Sequence, residues 1–223
     1  MNADPNAASE LVLWGTITSR VMRAHWALRE LGLQYTNHKI QTRTPAMDEP
    51  AFRAVSPQKK VPVLVDGDLI LSESCAIVTY LAERYSGPQC QLIPTDIKDR
   101  ARYFQWISFA SMELDATALY VLRRHADLID IYGEEPGASQ TAREYFNRMI
   151  ESAVPRIPPE GYLLGEQFTG ADIVMTTCLN WALRYGLCLP DRFNNYRLLT
   201  TSRPAYLAAN KANQTASHPV PSR

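Results

Sequence analysis

The spacing of apolar residues changes along the first part of this 223-residue chain, and each change predicts a different element. Residues 11–14 form a short apolar run that ends at Gly15, which is typical of a buried strand. Apolar residues then recur every three or four positions over residues 21–31, and Gly32 follows, so we predict a helix. Residues 34–40 have the composition of a second strand. This strand–helix–strand order predicts a parallel βαβ unit with a right-handed crossover.

A turn motif then separates two further apolar runs. Residues 61–65 and 69–71 flank an Asp-Gly turn at residues 66–68, and this arrangement predicts a hairpin. A helix follows, because apolar residues over positions 77–85 share one helical face. We expect the first three strands to run parallel and the fourth antiparallel, in the βαβ–ββα order of the thioredoxin-like arrangement.

The rest of the sequence has a helical pattern. Long helices are predicted over residues 97–125 and 140–154, and the Thr-Gly-Ala-Asp sequence at 169–172 opens another. The predicted fold class is therefore α/β plus all-α. We predict a thioredoxin-like domain of residues 1–85, a Gly- and Pro-containing linker of residues 86–96, an all-helical domain of residues 97–211, and a polar, disordered tail of residues 212–223.

Charge and cysteine content argue against several classes of function. Lys and Arg number 23, as do Asp and Glu, so we expect no nucleic-acid partner and no polybasic membrane surface. No apolar run approaches the roughly 18–20 residues that span a bilayer, and the N-terminus does not resemble a secretory signal. The four cysteines form neither a CxxC pair nor a zinc-binding spacing, so we expect a cytoplasmic protein without a metal.

The sequence Lys60-Val61-Pro62 at the start of the hairpin is the first candidate for a binding site. A proline at a strand start removes a hydrogen-bond donor from the ladder. A cis Val61–Pro62 bond would turn the Val61 backbone N–H and C=O outward, where they could pair with an extended peptide. A trans proline at the strand entry is the alternative, since only about 5–6% of X–Pro bonds are cis.

Glu73 and Ser74 are the second candidate, because they lie where the fourth strand passes into a helix. The free N–H groups and the positive end of that helix favour a carboxylate. Ser74 could donate its hydroxyl and N–H to this anion, and Glu73 could accept from a neighbouring ammonium. The pair would then bind the zwitterionic head of an amino acid. A simple helix cap is the alternative interpretation.

The loop between the first strand and the first helix is the third candidate. It carries the hydroxyl groups of Thr16, Thr18 and Ser19 at the carboxyl edge of the predicted sheet, where α/β sheets bind ligands. A hydroxyl and a helix dipole directed at a sulfur stabilise the thiolate over the thiol. Helix capping is again the alternative.

These three features, in this order, resemble the cytosolic glutathione transferase superfamily. Residues 56–67 (SPQKKVPVLVDG) and 69–74 (LILSES) are similar to the family's NPxGKVPxLxDG…LxES segment. Residues 76–85 (AIVTYLAERY) match its AIxxYLAERY helix, and residues 168–173 (FTGADI) resemble its FSxADI capping box. The resemblance covers about residues 10–210.

The resemblance implies glutathione as co-substrate and assigns roles to the first two candidate sites. Val61 and a cis Pro62 would pair with the cysteinyl backbone of glutathione. Glu73 and Ser74 would hold its γ-glutamyl ammonium and carboxylate, and Lys60 would meet its glycine carboxylate.

The resemblance also bears on the residue that activates the thiol. Thr18 falls at the serine of the serine-type classes, and a small loop shift would bring in Thr16 or Ser19 instead. Arg20 falls near the position where beta-class relatives carry cysteine, and the loop contains no tyrosine, so cysteine- and tyrosine-type mechanisms are disfavoured. Lys59 stands where the family usually has glycine, at a position that can require a left-handed backbone.

The function implied is an enzyme that deprotonates glutathione for attack on a small hydrophobic electrophile or a peroxide. Ile17, Tyr103 and Trp106 are candidates for the second-substrate pocket, with core or dimer packing as the alternative for the two aromatic residues. The alternatives to a transferase are a glutathione-dependent disulfide reductase or peroxidase, and a non-catalytic interaction module. Retention of both the Glu-Ser pair and the loop hydroxyls favours an enzyme. Relatives are mostly homodimers, and we expect the same here.

Overall fold

A computed structural model of the chain describes residues 10–214. The first part of this range contains a four-stranded sheet with its helices, and the predicted hairpin and the helix after it are confirmed. The elements are β1 (Leu11–Trp14), α1 (Ser19–Glu30), β2 (Thr36–His38), a 3₁₀ turn (Pro45–Asp48), α2 (Pro50–Val55), β3 (Val63–Asp66), β4 (Leu69–Ser72) and α3 (Ser74–Tyr85).

The sheet has the order β2-β1-β3-β4 and mixes parallel and antiparallel pairs. β1 and β2 are parallel, as the βαβ pattern predicts, and β3 and β4 form an antiparallel hairpin. β3 is antiparallel to β1, however, so the expectation of three parallel strands was wrong. Val63 at the start of β3 lies opposite Trp14 at the end of β1. The connection between β2 and β3 contains only the short α2, about 9 Å long. The chain therefore re-enters the sheet beside the end of β1, and β3 runs in the direction opposite to β1.

This topology brings the β1–α1 loop and the segment before β3 together at one edge of the sheet. Gly15 lies in that loop with a φ of +133°. A Cβ atom at Gly15 would lie 2.8 Å from Cγ2 of Val21 and 2.9 Å from Cβ of Val61. Both distances are shorter than ordinary van der Waals contact, so the lack of a side chain allows this close approach.

The second part of the described range is all-helical, which confirms the predicted fold class. Three helical segments, Ile97–Ser108, the π-helical Phe109–Leu119 and Tyr120–Ala126, follow one another without a break, as the predicted long helix requires. The elements are α4 (Ile97–Ser108), a π-helical segment (Phe109–Leu119), α5 (Tyr120–Ala126), α6 (Ile129–Tyr132), α7 (Pro136–Ala153), a 3₁₀ turn (Val154–Arg156), α8 (Gly170–Arg184), α9 (Asp191–Thr201) and α10 (Pro204–Gln214).

The last helix differs from the expectation for the C-terminal tail. We expected disorder from residue 212, but α10 continues to Gln214, and residues 215–223 lie outside the described range. Asn213 is buried in this helix, which gives the end of α10 a packed environment that its polar composition does not reveal. Within residues 10–214, the helices are too short or too polar to cross a membrane.

Helix α1 joins the two parts of the molecule, because it packs against α3 of the first part and against α8 and α10 of the second. Trp26 and Leu28 of α1 are fully buried in a core that is continuous from the sheet to α9. The start of α8 carries the predicted capping box, in which the Thr169 backbone N–H donates to Oδ2 of Asp172 at 2.7 Å.

Candidate functional site

A cleft of about 640 Å³ opens between the β1–α1 loop, the segment before β3, and helices α5, α8 and α10. The residues in it come from segments far apart in the sequence. The pairing of β1 with β3 brings two of these segments together, the β1–α1 loop and the segment before β3. Six of the predicted site residues line this cleft: Thr16, Ile17, Thr18, Ser19, Lys60 and Val61.

The Val61–Pro62 peptide bond is cis, which confirms the prediction from the Lys-Val-Pro sequence. Pro62 is buried, and the β3 ladder begins at Val63, so the backbone of Val61 lies outside the ladder. Val61 itself lines the cleft. Its peptide groups are therefore placed beside the cleft rather than within the sheet.

The turn before Val61 is held by Ser56, at the position where the family usually has asparagine. The Ser56 hydroxyl donates to the Lys60 carbonyl at 2.9 Å and accepts from the Lys60 N–H at 3.0 Å. Lys59 has a φ of +52°, which is a left-handed conformation. Its ammonium pairs with Asp48. The two departures from the family pattern are thus compatible with the turn.

The hydroxyl groups of the β1–α1 loop have different partners. Thr18 is the N-cap of α1, because its Oγ1 accepts from the backbone N–H of Val21 at 3.0 Å. That bond uses a lone pair and leaves the hydroxyl proton able to donate to a ligand. Thr16 is fully buried, and its hydroxyl donates to the backbone O of Asn213 at 3.0 Å. The geometry therefore favours Thr18 over Thr16 as the donor to a ligand.

Asn213 near the end of α10 is a site residue that the sequence did not reveal. Its backbone O also accepts from the Ile17 N–H at 3.0 Å, and its side-chain Nδ2 donates to the Thr18 carbonyl at 3.2 Å. The loop that carries Thr18 is thus held by a helix almost 200 residues later in the chain. No local pattern around Asn213 could have predicted this contact.

Glu73 and Ser74 lie at the start of α3, where Glu73 is the N-cap with a φ of +66°. Glu73 is exposed, whereas Ser74 is buried and its Oγ accepts from Nη1 of Arg23 at 3.1 Å. Among the described residues, these two are not part of the cleft lining. Ser74 is connected to the cleft through Arg23, which also donates a hydrogen bond to Thr177 of the cleft lining.

Arg23 belongs to a buried charge network that the sequence pattern did not predict. Its Nη2 lies 2.7 Å from Oδ2 of Asp115, whose other oxygen binds Nη2 of Arg20 at 2.5 Å. Burial acts to raise the pKa of Asp115, but the guanidinium groups of Arg23 and Arg20 more than offset it and hold that pKa below its ordinary value. Residues 21–28 of α1 are all buried, and Arg23 is the arginine among them, but the apolar spacing of the helix did not indicate this.

The predicted pocket residues Tyr103 and Trp106 lie elsewhere. Tyr103 is fully buried, with its hydroxyl 3.2 Å from Oγ1 of Thr79. Trp106 is also buried, and the guanidinium carbon of Arg156 lies 4.4 Å from the centre of its ring. Within residues 10–214, the lining of the cleft includes neither aromatic residue. They belong to the buried core, which was the alternative interpretation, and the helix that carries them packs against α8.

Two domain families match the chain over most of its length. Residues 13–89 match "Glutathione S-transferase, N-terminal domain", and residues 111–201 match "Glutathione S-transferase, C-terminal domain". The two matched ranges correspond to the sheet with its helices and to the all-helical part.

Individual relatives agree with these matches. A glutathione S-transferase of Triticum aestivum is 38% identical over 95 residues, which is 42% of this chain and 42% of that relative, so the alignment spans less than half of its length. The maleylacetoacetate isomerase of Pseudomonas aeruginosa is 29% identical over 201 residues, 86% of this chain and 91% of the relative.

A solved structure is similar in fold. The glutathione transferase of Pseudomonas putida, crystallised with one glutathione disulfide per subunit, superposes with a TM-score of 0.79 at 23% identity. The match covers 92% of this chain and 93% of the other. The domain matches, the relatives and the similar fold all point to the family that the sequence motifs resemble. The chain belongs to the cytosolic glutathione transferase superfamily.

Proposed function

We propose that the protein is a glutathione-dependent transferase whose active site is the cleft beside the cis Val61–Pro62 bond. The observation that supports this proposal is that a free stretch of backbone and a free hydroxyl lie beside the same cleft. The peptide groups of Val61 lie outside the ladder, and Thr18, with its hydroxyl proton available, lines the same cleft.

In this proposal each part of glutathione has a partner. The Val61 backbone pairs with the cysteinyl residue, Lys60 meets the glycine carboxylate, and Glu73 with Ser74 binds the γ-glutamyl end. The Thr18 hydroxyl donates a hydrogen bond to the sulfur, and the N-terminus of α1 adds its positive field. Both favour the thiolate, so the thiol proton is released to solvent near neutral pH. The thiolate then forms a carbon–sulfur bond with an electrophile as its leaving group departs.

A disulfide reductase is the second candidate, because the similar Pseudomonas putida structure holds glutathione disulfide. In that reaction the glutathione thiolate attacks a mixed disulfide of glutathione, and the other thiol leaves as the reduced product. The same Thr18 would serve both reactions, since each begins with the thiolate.

The first experiment measures glutathione binding by calorimetry and turnover with 1-chloro-2,4-dinitrobenzene, cumene hydroperoxide and a glutathione mixed disulfide. Lack of glutathione binding would refute the proposal. The relative rates with the three substrates separate transferase, peroxidase and reductase activity.

The second experiment tests the role of Thr18. Thr18→Ala should lower turnover by on the order of 10²-fold, whereas Thr16→Ala and Ser19→Ala should lower it much less. Thr18→Ala also removes a helix cap, at a cost of about 1 kcal/mol. Thr18→Ser keeps both the cap and the hydroxyl, and we expect it to retain activity. Damage from Ser19→Ala alone would place the activating hydroxyl one residue later.

We also propose a cytoplasmic homodimer. Four free cysteines support a reducing compartment, and the dimer follows from the family resemblance. A monomer in solution scattering would contradict the dimer.

A further inference from the structure

The cleft carries a strong local excess of positive charge, although the whole chain has a net charge of zero. One acidic side chain, Asp127, lines it within the described range. The basic side chains that line it are Arg20, Arg43, Lys59, Lys60, Arg123 and Arg184. An ordinary pocket for a neutral apolar substrate has no need of such an excess.

Several of these cations already have a partner. Arg20 binds Asp115, Lys59 binds Asp48, and Arg184 binds Asp127. Lys60 is the residue that we assign to the glycine carboxylate of glutathione. Arg43 and Arg123 remain, and within residues 10–214 neither guanidinium forms a salt bridge with a carboxylate.

Arg43 and Arg123 line the same cleft, and the charge of Arg43 acts on Arg123. The pKa of the half-buried Arg123 is lowered, first by burial and then by the charge of Arg43. The carboxylate of Asp127 acts in the opposite direction but does not offset these two effects. The exposed Arg43 and the half-buried Arg123 face one cleft, and neither forms a salt bridge within residues 10–214. A bound anion would relieve the repulsion between the two charges.

Tyr120, one helical turn before Arg123, shows that the positive field extends across the cleft. The guanidinium carbon of Arg20 lies 4.9 Å from the centre of its ring, and that of Arg124 lies 5.0 Å away. Burial acts to raise the pKa of Tyr120, but Lys60, a hydrogen bond with Tyr132 and the two arginines lower it overall.

We propose that the second substrate carries a carboxylate, which Arg43 and Arg123 bind while the glutathione thiolate attacks the electrophilic carbon. Guanidinium groups suit this role, since they bind carboxylates through paired, charge-assisted hydrogen bonds. The inference rests on the proposed glutathione-dependent function and replaces the expected hydrophobic electrophile with an anionic one. The carboxylate takes no part in the bond changes, in which a carbon–sulfur bond forms and the leaving group departs.

The test uses two matched electrophiles, 4-chloro-3,5-dinitrobenzoate and its methyl ester, from which thiolate attack displaces chloride. Each rate is divided by the uncatalysed rate with glutathione, which corrects for intrinsic reactivity. We expect the wild-type protein to favour the acid. Arg123→Gln and Arg43→Gln should each lower kcat/KM for the acid by about tenfold or more, with less than about threefold change for the ester. Arg102→Gln removes an exposed charge outside the cleft and serves as the control.

Glutathione also carries carboxylates, so its KM is measured for every variant. A rise in the KM for glutathione with no selective loss on the acid would overturn the inference, because the arginines would then bind glutathione. Equal losses on acid and ester would overturn it as well. If the wild-type protein neither binds glutathione nor converts either compound, the proposed function fails, and the inference fails with it.

Discussion

Replacing Asp115 with asparagine tests whether the buried ion pair with Arg23 supports both the fold and the binding site. The side chains of both residues are 2% exposed, and they meet at 2.7 Å. Arg23 also donates to the buried Ser74, one of the two residues that we assign to the γ-glutamyl end of glutathione. Asp115→Asn keeps the size of the side chain but removes the charge that compensates Arg23.

The expected loss of stability is large because Arg23 would remain buried without a counter-ion. Breaking a buried ion pair by removing one partner costs about 3–5 kcal/mol, out of a total stability of roughly 5–15 kcal/mol. The second pair of Asp115 adds less, since the Arg20 side chain is 37% exposed and solvent screens it. We therefore expect Asp115→Asn to lower the free energy of unfolding by about 3 kcal/mol and to raise the KM for glutathione.

The pH dependence follows from the lowered pKa of Asp115. The folded-state pKa lies below the ordinary value of 3.8, so the unfolded state binds more protons as the pH falls through that value. The stabilisation by Asp115 is therefore complete above about pH 5 and is lost as the pH falls below 4. The Asp115→Asn variant should lack this part of the acid sensitivity.

Urea unfolding, followed by circular dichroism at pH 7 and pH 4, measures these effects. Asp99→Asn is the control, because Asp99 is 48% exposed and pairs with Arg102 on the surface. We expect it to change the free energy of unfolding by less than about 1 kcal/mol. Arg23→Met should remove most of the penalty of Asp115→Asn when the two are combined. A loss below about 1 kcal/mol for Asp115→Asn, or strict additivity with Arg23→Met, would refute the reasoning.

Three further predictions concern single side chains. His25 is fully buried, and burial followed by the charge of Arg29 lowers its pKa to about 4. As the pH falls, the unfolded state therefore binds a proton at His25 before the folded state does, and stability decreases from about pH 6.5 towards pH 4. In His25→Gln, the midpoint of urea unfolding should depend less on pH across that range. Asn213→Ala, which removes the bond to the Thr18 carbonyl, should lower kcat severalfold, whereas Leu207→Ala, at an exposed position of α10 outside the cleft lining, should not. Equal kcat values for the two variants would exclude this positioning role. Asp172→Ala leaves buried hydrogen-bond donors unpaired and should lower the free energy of unfolding, measured by thermal unfolding, by about 3 kcal/mol. A loss smaller than that of the control Asp191→Ala, at an exposed position, would contradict this prediction.

Local features were predictable because a few neighbouring residues determine them. The Asp-Gly turn selects the β3–β4 hairpin, and the Thr169 capping box marks the start of α8 whatever packs around it. The cis Val61–Pro62 bond was predicted from its place before that hairpin. The sequence also placed the hydroxyl groups of Thr16, Thr18 and Ser19 in one loop, and all three residues line the cleft. It left open which hydroxyl is available to a ligand.

What the sequence determined by itself is therefore the fold class, the order of the elements around the sheet, and two of the segments that line the cleft, the β1–α1 loop and residues 60–61. The tertiary structure alone decided the direction of β3, the contact of Asn213 with the Thr18 loop, and the pairing of Arg23 with Asp115. It also placed Tyr103 in the core and not in the cleft, because the packing of neighbouring helices decides which side of a helix is buried. The physical reason is the same throughout: turns and caps are short-range, whereas strand direction, charge pairing and pocket lining depend on groups that meet only after the chain has folded.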